Sequence, residues 1–168
     1  VLMDAGPEAA GESRRAPALV TRTDDARVGR EEARSVAETI GILDAPELNA
    51  YVDRIGQRLV KGLPHRSFRY EFRVVDQVEP NAFALPGGYV FISRGLLALA
   101  KSEDELANVL GHEITHAAQR HAAARQAMIE QKGMLLILPT QAASMAAYSR
   151  DMERSADEGG QILAAAAG

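Results

Sequence analysis

His112-Glu113-Ile114-Thr115-His116 is the stretch from which the rest of the chain can be read. An α-helix advances about 100° per residue, so side chains four apart differ by only about 40° around the axis. Two imidazoles at that spacing leave one face, a turn apart, and can grip a single tetrahedral ion. Glu113 projects beside them, where it can hold a water at the ion. Two nitrogen ligands, a neighbouring carboxylate and an open metal position are the parts of metal-assisted hydrolysis.

The flanks mark a helix. Ser102 and Glu105 form a capping box ahead of an apolar run. From there Leu106, Val109, Leu110, Ile114, Ala117 and Ala118 recur at helical spacing as a buried stripe. Glu113 falls inside that stripe, with His112 and His116 along its flank. A bare carboxylate facing a core is costly unless paired or coordinated, so a plain solvated His/Glu face is the weaker reading. Ala117 to Ala127 contains neither Gly nor Pro, which predicts that the helix runs on past His116. On a straight helix His121 stands about 180° around from His112. It is therefore read as a residue supporting the site or lying on the helix surface. In the H-E-x-x-H-x-x-G-x-x-H pattern a Gly supplies a bend. Here Gln119 and Ala122 stand at the positions of that Gly and the third His.

With 168 residues, 46% of them apolar and 25% charged, the chain can own one globular core. A net charge of −4 gives no electrostatic case for nucleic acid or an anionic membrane. Cysteine is absent, which excludes disulfides and thiolate metal sites and leaves the redox compartment open. Any metal must then be held by nitrogen and oxygen. The start at Val1 reads as processed or truncated, and the signal peptide of a precursor would not be visible.

Residues 1–24 mix Ala, Gly, Pro, Glu and Arg without period and read as a mobile tail, with Arg14-Arg15 a solvated pair; residues 25–168 read as the catalytic domain. Val28, Ala33, Val36, Ala37 and Ile40 mark a helix ending near Gly41. A second starts at Asp44-Ala45-Pro46, carries Leu48, Tyr51, Val52, Ile55, Leu59 and Val60, and stops at Gly62 and Pro64. Phe68 to Val75 alternates as a half-buried strand. Asn81–Leu85 and Tyr89–Ile92 flank Pro86-Gly87-Gly88 as a hairpin. Arg94 to Ala100 reads as a short helix. Gly133 to Ala147 is apolar but broken by Pro139, short of the roughly 20 residues a membrane span needs. A buried or partly ordered helix pair is expected there.

With His121 set aside, the third ligand should be a carboxylate on a later helix. Glu153 and Asp157 are spaced i, i+4 on one face. Ser155, Ala156, Gly159 and Gly160 would let that helix approach the first closely, a packing reason for glycines that cost about 1 kcal/mol each in a helix. In isolation Glu153 and Asp157 would be a solvated face; an H-E-x-x-H short of a ligand reverses that. Glu153 would hold the metal, and Asp157 would bond the far nitrogen of a ligand histidine and fix its tautomer.

H-E-I-T-H at 112–116 followed by Y-S-R-D-M-E-R-S-A-D at 148–157 resembles the zinc metallopeptidases related to HtpX, Oma-type proteases and CAAX prenyl proteases. The stretches N-A-F-A-L-P-G-G-Y-V-F-I-S-R-G-L-L at 81–97 and E-L-A-N-V-L-G-H-E at 105–113 carry the same likeness, as does Pro46-Glu47-Leu48 through Ile55-Gly56-Gln57-Arg58-Leu59. It extends over residues 25–168 and is strongest to the soluble bacterial periplasmic branch that includes the β-barrel assembly-enhancing protease. It implies an α+β, mainly helical fold of the zincin (thermolysin) type with a small sheet beside the cleft. It also implies one Zn²⁺ per chain on His112, His116 and Glu153, Glu113 as general base, and Asp157 behind the ligands. The short interval from His116 to Glu153 points to residues missing near Pro139-Thr140. Ser155 stands where the family commonly has Glu, and the chain stops soon after Asp157, where family members usually continue.

The expected activity is an endopeptidase acting on unfolded or extended polypeptide in the bacterial envelope, in the periplasm, associated with outer-membrane protein assembly. No nucleic-acid partner is expected. The rival is a zinc-stabilised chaperone-like module, or a latent protease whose 116–153 segment plugs the cleft. Tyr148, Arg150 and His65 are candidate transition-state donors, although His65, in a Pro-containing loop, reads better as an exposed loop residue. Asn81, Ala82, Phe83 and Ala84 are the candidate edge strand for binding substrate backbone.

Overall fold

The computed structural model describes residues 22–124 and 139–168, with side chains from 24 to 124 and from 149 onward. Helix α1 spans Arg22–Thr39, so the last three residues of the expected tail are helical. Gly41, at φ 91°, turns the chain out of it. Gly41 to Leu43 then runs along strand β1 (Glu71–Val75): Leu43 N–H donates to Val74 O at 2.8 Å, and Ile42 bridges to Val75. Helix α2 (Pro46–Val60) opens on its proline and buries Val52, Ile55, Leu59 and Val60. Its Asn49 accepts from Val74 N–H at 2.9 Å and donates to Leu43 O, tying the helix to the outer side of β1.

Strands β2 (Ala82–Leu85) and β3 (Tyr89–Ser93) are the expected hairpin. Between them Pro86-Gly87-Gly88 makes a tight turn, with both glycines at positive φ (80° and 93°), where a Cβ is strained. The sheet order is β1-β3-β2, with β1 parallel and β2 antiparallel to β3. Central β3 is buried on both faces: Val90 and Ile92 join Phe72 and Val74 against the helices, while Phe91 faces α1. The first strand is shorter than its alternation predicts. Glu71 stands opposite Tyr89, where β3 begins, so Phe68 to Tyr70 has no strand to pair with.

After the short helix α3 (Arg94–Leu99), helix α4 (Glu103–Ala118) carries the H-E-x-x-H. Ser102 Oγ accepts from Glu105 N–H at 3.2 Å, as the capping box requires. The reciprocal bond is displaced by one residue, Glu105 accepting from Lys101 N–H at 2.8 Å. Leu106, Leu110, Ile114 and Ala117 are buried as expected; Val109 and Ala118 are half-buried. The helix does not continue through Ala127. It stops at Ala118, and Arg120 takes the left-handed φ of 54° before a further turn begins at His121.

The last helix, α5 (Pro139–Ala167), packs along α4. A Cβ on Gly111 would stand 2.7 Å from Gly160 O, and one on Gly160 2.6 Å from His112 N. The two backbones touch where any larger residue would push them apart. Met152, Ala156 and Leu163 bury the same face. Of the helix pair expected over Gly133–Ala147, the part before Pro139 lies outside the described residues, whereas Pro139 and Thr140, near which residues were expected to be missing, lie in the first turn of α5. Pro139 itself opens α5, at a position where its lack of an N–H costs nothing. No described helix is long and apolar enough to cross a membrane.

Candidate metal centre and active-site cleft

Close packing of α4 on α5 decides where the polar residues meet. His112 and His116 leave α4 on one side with their Nε2 atoms 2.9 Å apart. Glu153 Oε2 reaches across from α5 to within 3.4 Å of His112 Nε2 and 3.5 Å of His116 Nε2. An ion held tetrahedrally at about 2.0–2.1 Å from each donor requires donor separations of about 3.3 Å. The observed triangle matches within a few tenths of an ångström. Two imidazoles and a carboxylate, with no thiolate, are the donor set of a hydrolytic zinc site. The residues present therefore fit a metal, and they are the ones the spacing singled out.

The far nitrogens of both histidines are also engaged. Asp157 Oδ1 lies 2.8 Å from His112 Nδ1, as the i, i+4 argument expected. His121 Nδ1 lies 2.9 Å from His116 Nδ1. That contact exists only because of the bend at Arg120. A non-glycine residue in this conformation costs on the order of 1–3 kcal/mol and needs its surroundings to hold it. Arg120 is held by Asp25 of α1, whose carboxylate takes both Nε and Nη2, the latter at 3.0 Å. Sequence gives no sign of this: Gln119 and Arg120 are not helix-stopping residues, and Asp25 lies 95 positions away.

Glu113 faces the sheet edge across a cleft of about 250 Å³, lined by His112, His116 and Glu153 on one side and Ala82 to Pro86 on the other. In the β2–β3 ladder Ser93 N–H donates to Asn81 O, which puts Asn81, Phe83 and Leu85 in the bonded set and turns Ala82 and Ala84 outward. The outward Ala84 N–H lies beside the Glu113 carboxyl and favours its charged form. Asn81 is exposed at the start of the strand and does not line the cleft, whereas Leu85 does. Neither His65, exposed in its loop, nor Arg150, exposed on α5, lines the cleft. The Tyr148 side chain lies outside those described.

Burial pushes the Glu113 carboxyl up to about 7; His112 opposes the rise, Glu153 adds to it, and the Ala84 N–H opposes it. A carboxyl whose pKa is raised on folding favours the folded state in its protonated form. That contribution is complete below the ordinary value of 4.5 and is lost as pH climbs to about 7. Chelator-treated protein should therefore lose up to about 3 kcal/mol from this group between pH 4 and 8. Glu113→Gln should escape that loss and be the more stable protein at pH 8 only. Denaturant melts at the two pH values check this; an identical pH response of the two proteins would contradict it.

A helix bearing H-E-x-x-H, a carboxylate from a following helix and a sheet edge across the cleft define a zincin-like metallopeptidase domain. The chain belongs to peptidase family M48, whose signature matches residues 46–147. That match includes His112, Glu113 and His116 and ends before Glu153 and Asp157, whose placement rests on the geometry above. Among relatives, the chain is 32% identical over 127 residues to the mitochondrial metalloendopeptidase OMA1 of Schizosaccharomyces pombe, covering 67% of this chain and 38% of the relative. To the β-barrel assembly-enhancing protease of Yersinia pestis it is 33% identical over 117 residues, 70% of this chain and 24% of the relative. The Escherichia coli protein of that name is 32% identical over 106 residues, 63% of this chain and 21% of the relative. The chain thus spans about a fifth to two-fifths of the length of these relatives.

Proposed function

We propose that this domain is a zinc endopeptidase that hydrolyses peptide bonds of unfolded or extended polypeptide. His112, His116 and Glu153 would hold one zinc, which when bound supplies a Lewis acid that polarises the scissile carbonyl and eases loss of a proton from water. Glu113 takes that proton as water oxygen bonds to the carbonyl carbon, then delivers it to the departing amine as the C–N bond breaks. Its raised pKa suits a group that must both accept and release a proton near neutrality. Asp157 keeps His112 in the tautomer whose Nε2 lone pair points at the metal.

The observation that carries the reading is the outward-turned edge of β2 running beside Glu113 and the three donors. An extended peptide adding to that edge would be held by its main chain, a handle every unfolded sequence offers. Envelope quality control in the bacterial periplasm, alongside outer-membrane protein assembly, is the setting that the relatives named β-barrel assembly-enhancing protease support. Incubation with an unfolded polypeptide tests the activity: cleavage should occur, stop with chelator and return with zinc. Clients held uncut in the zinc-loaded state would instead favour a chaperone-like module.

Ala84→Pro tests the edge. It removes the outward N–H beside Glu113 and bends the strand, while an edge position tolerates proline without loss of the fold. Turnover should fall about 100-fold, the lower range for a misplaced acid–base group, with zinc content and melting temperature retained. Unchanged peptide affinity and turnover in the folded, zinc-loaded variant would remove β2 from substrate binding.

A further inference from the structure

We propose that His121 is a positioning residue for the metal ligand His116, brought to it by the left-handed bend at Arg120 that Asp25 of α1 holds in place. This rests on the reading of His116 as a ligand. A histidine that gives its Nε2 lone pair to a metal carries its proton on Nδ1, and that N–H needs an acceptor. For His112 the acceptor is Asp157. For His116 it is His121 Nδ1, at 2.9 Å, which assigns His121 the tautomer protonated on Nε2. His121 is only 7% exposed, although it lies past the end of α4.

The bend is anchored from a distance. Asp25, 3% exposed, grips the Arg120 guanidinium through both carboxylate oxygens. The same turn of α1 is pressed on the β2–β3 turn: a Cβ on Gly29 would overlap Pro86 O at 1.7 Å, and one on Gly87 would stand 2.8 Å from Ala26 Cα. Helix α1 thus spans from the sheet turn to the end of α4, and its ion pair keeps His121 on the ligand. On a straight continuation of α4 the imidazole would point about 180° away from His112.

The test measures zinc affinity by competition with a chromophoric chelator, and the visible absorption of the cobalt-substituted protein. His121→Leu fills the space but offers no acceptor, whereas His121→Asn keeps an acceptor oxygen near the Nδ1 position. His121→Leu should bind zinc about 10- to 100-fold more weakly and shift the cobalt bands, and His121→Asn should restore most of both. Asp25→Asn should weaken affinity in the same direction by a smaller factor. If His121→Leu does not fold, His121→Gln takes its place, since its longer side chain carries the acceptor past the Nδ1 position. Wild-type affinity and cobalt bands in folded His121→Leu would overturn the proposal, as would His121→Asn falling as far as His121→Leu. Failure of the wild-type chain to bind zinc would instead remove the metal-site reading beneath it.

Discussion

Glu113→Gln should leave one zinc per chain in place and lower peptide cleavage by about 10²- to 10⁴-fold, the range for loss of a positioned general base. The amide keeps the size and the buried setting of the carboxylate but cannot take a proton. Its own oxygen can take the same place beside the Ala84 N–H, so the edge strand should not move. Because Glu113 is not among the three donors, metal content is the control that separates this outcome from collapse of the site. A variant that cuts within a few-fold of wild type would take Glu113 out of the mechanism.

Glu153→Ala should have the opposite signature, losing metal and holo stability together. It removes one of three donors and leaves His112 and His116 facing water with a two-point grip. Metal stabilises a fold by mass action, by about 2.7 kcal/mol at a free concentration 100 times the dissociation constant. The variant should therefore melt well below zinc-saturated wild type. In excess chelator the gap should close, since Glu153 is half-exposed and adds repulsion to the buried Glu113 carboxyl. A difference that persists in chelator would mean that Glu153 is a structural residue. Retention of full zinc affinity would mean that the third donor lies elsewhere.

Much of this architecture is legible in the sequence because it is local. The H-E-x-x-H spacing, the Ser102 cap, the Pro86-Gly87-Gly88 turn and the i, i+4 pair of Glu153 and Asp157 each draw on neighbours within a few residues. Even the contact of α4 with α5 shows, since Gly159 and Gly160 would be poor helix residues without a packing reason. What escapes is set by partners far along the chain. The first strand begins at Glu71 because β3 begins at Tyr89, a fact of pairing that alternation does not encode. The helix ends at Ala118 because Asp25 grips Arg120 and His121 finds His116, whereas local propensity favours continuation. Of the two readings of His121, supporting the site or lying on the helix surface, that one bend selects the first by bringing it against His116.

X-ray absorption at the zinc edge of the purified chain is the most direct measurement of the central claim. One zinc per chain should give a first shell of nitrogen and oxygen at about 2.0–2.2 Å, with multiple scattering from two imidazoles and no third. In Glu153→Ala the oxygen contribution should change and the imidazole signal remain. A third imidazole in the wild-type spectrum would contradict the assignment and move His121 into the ligand set. A chain that retains no zinc after dialysis against buffer containing micromolar zinc would contradict the metal centre itself.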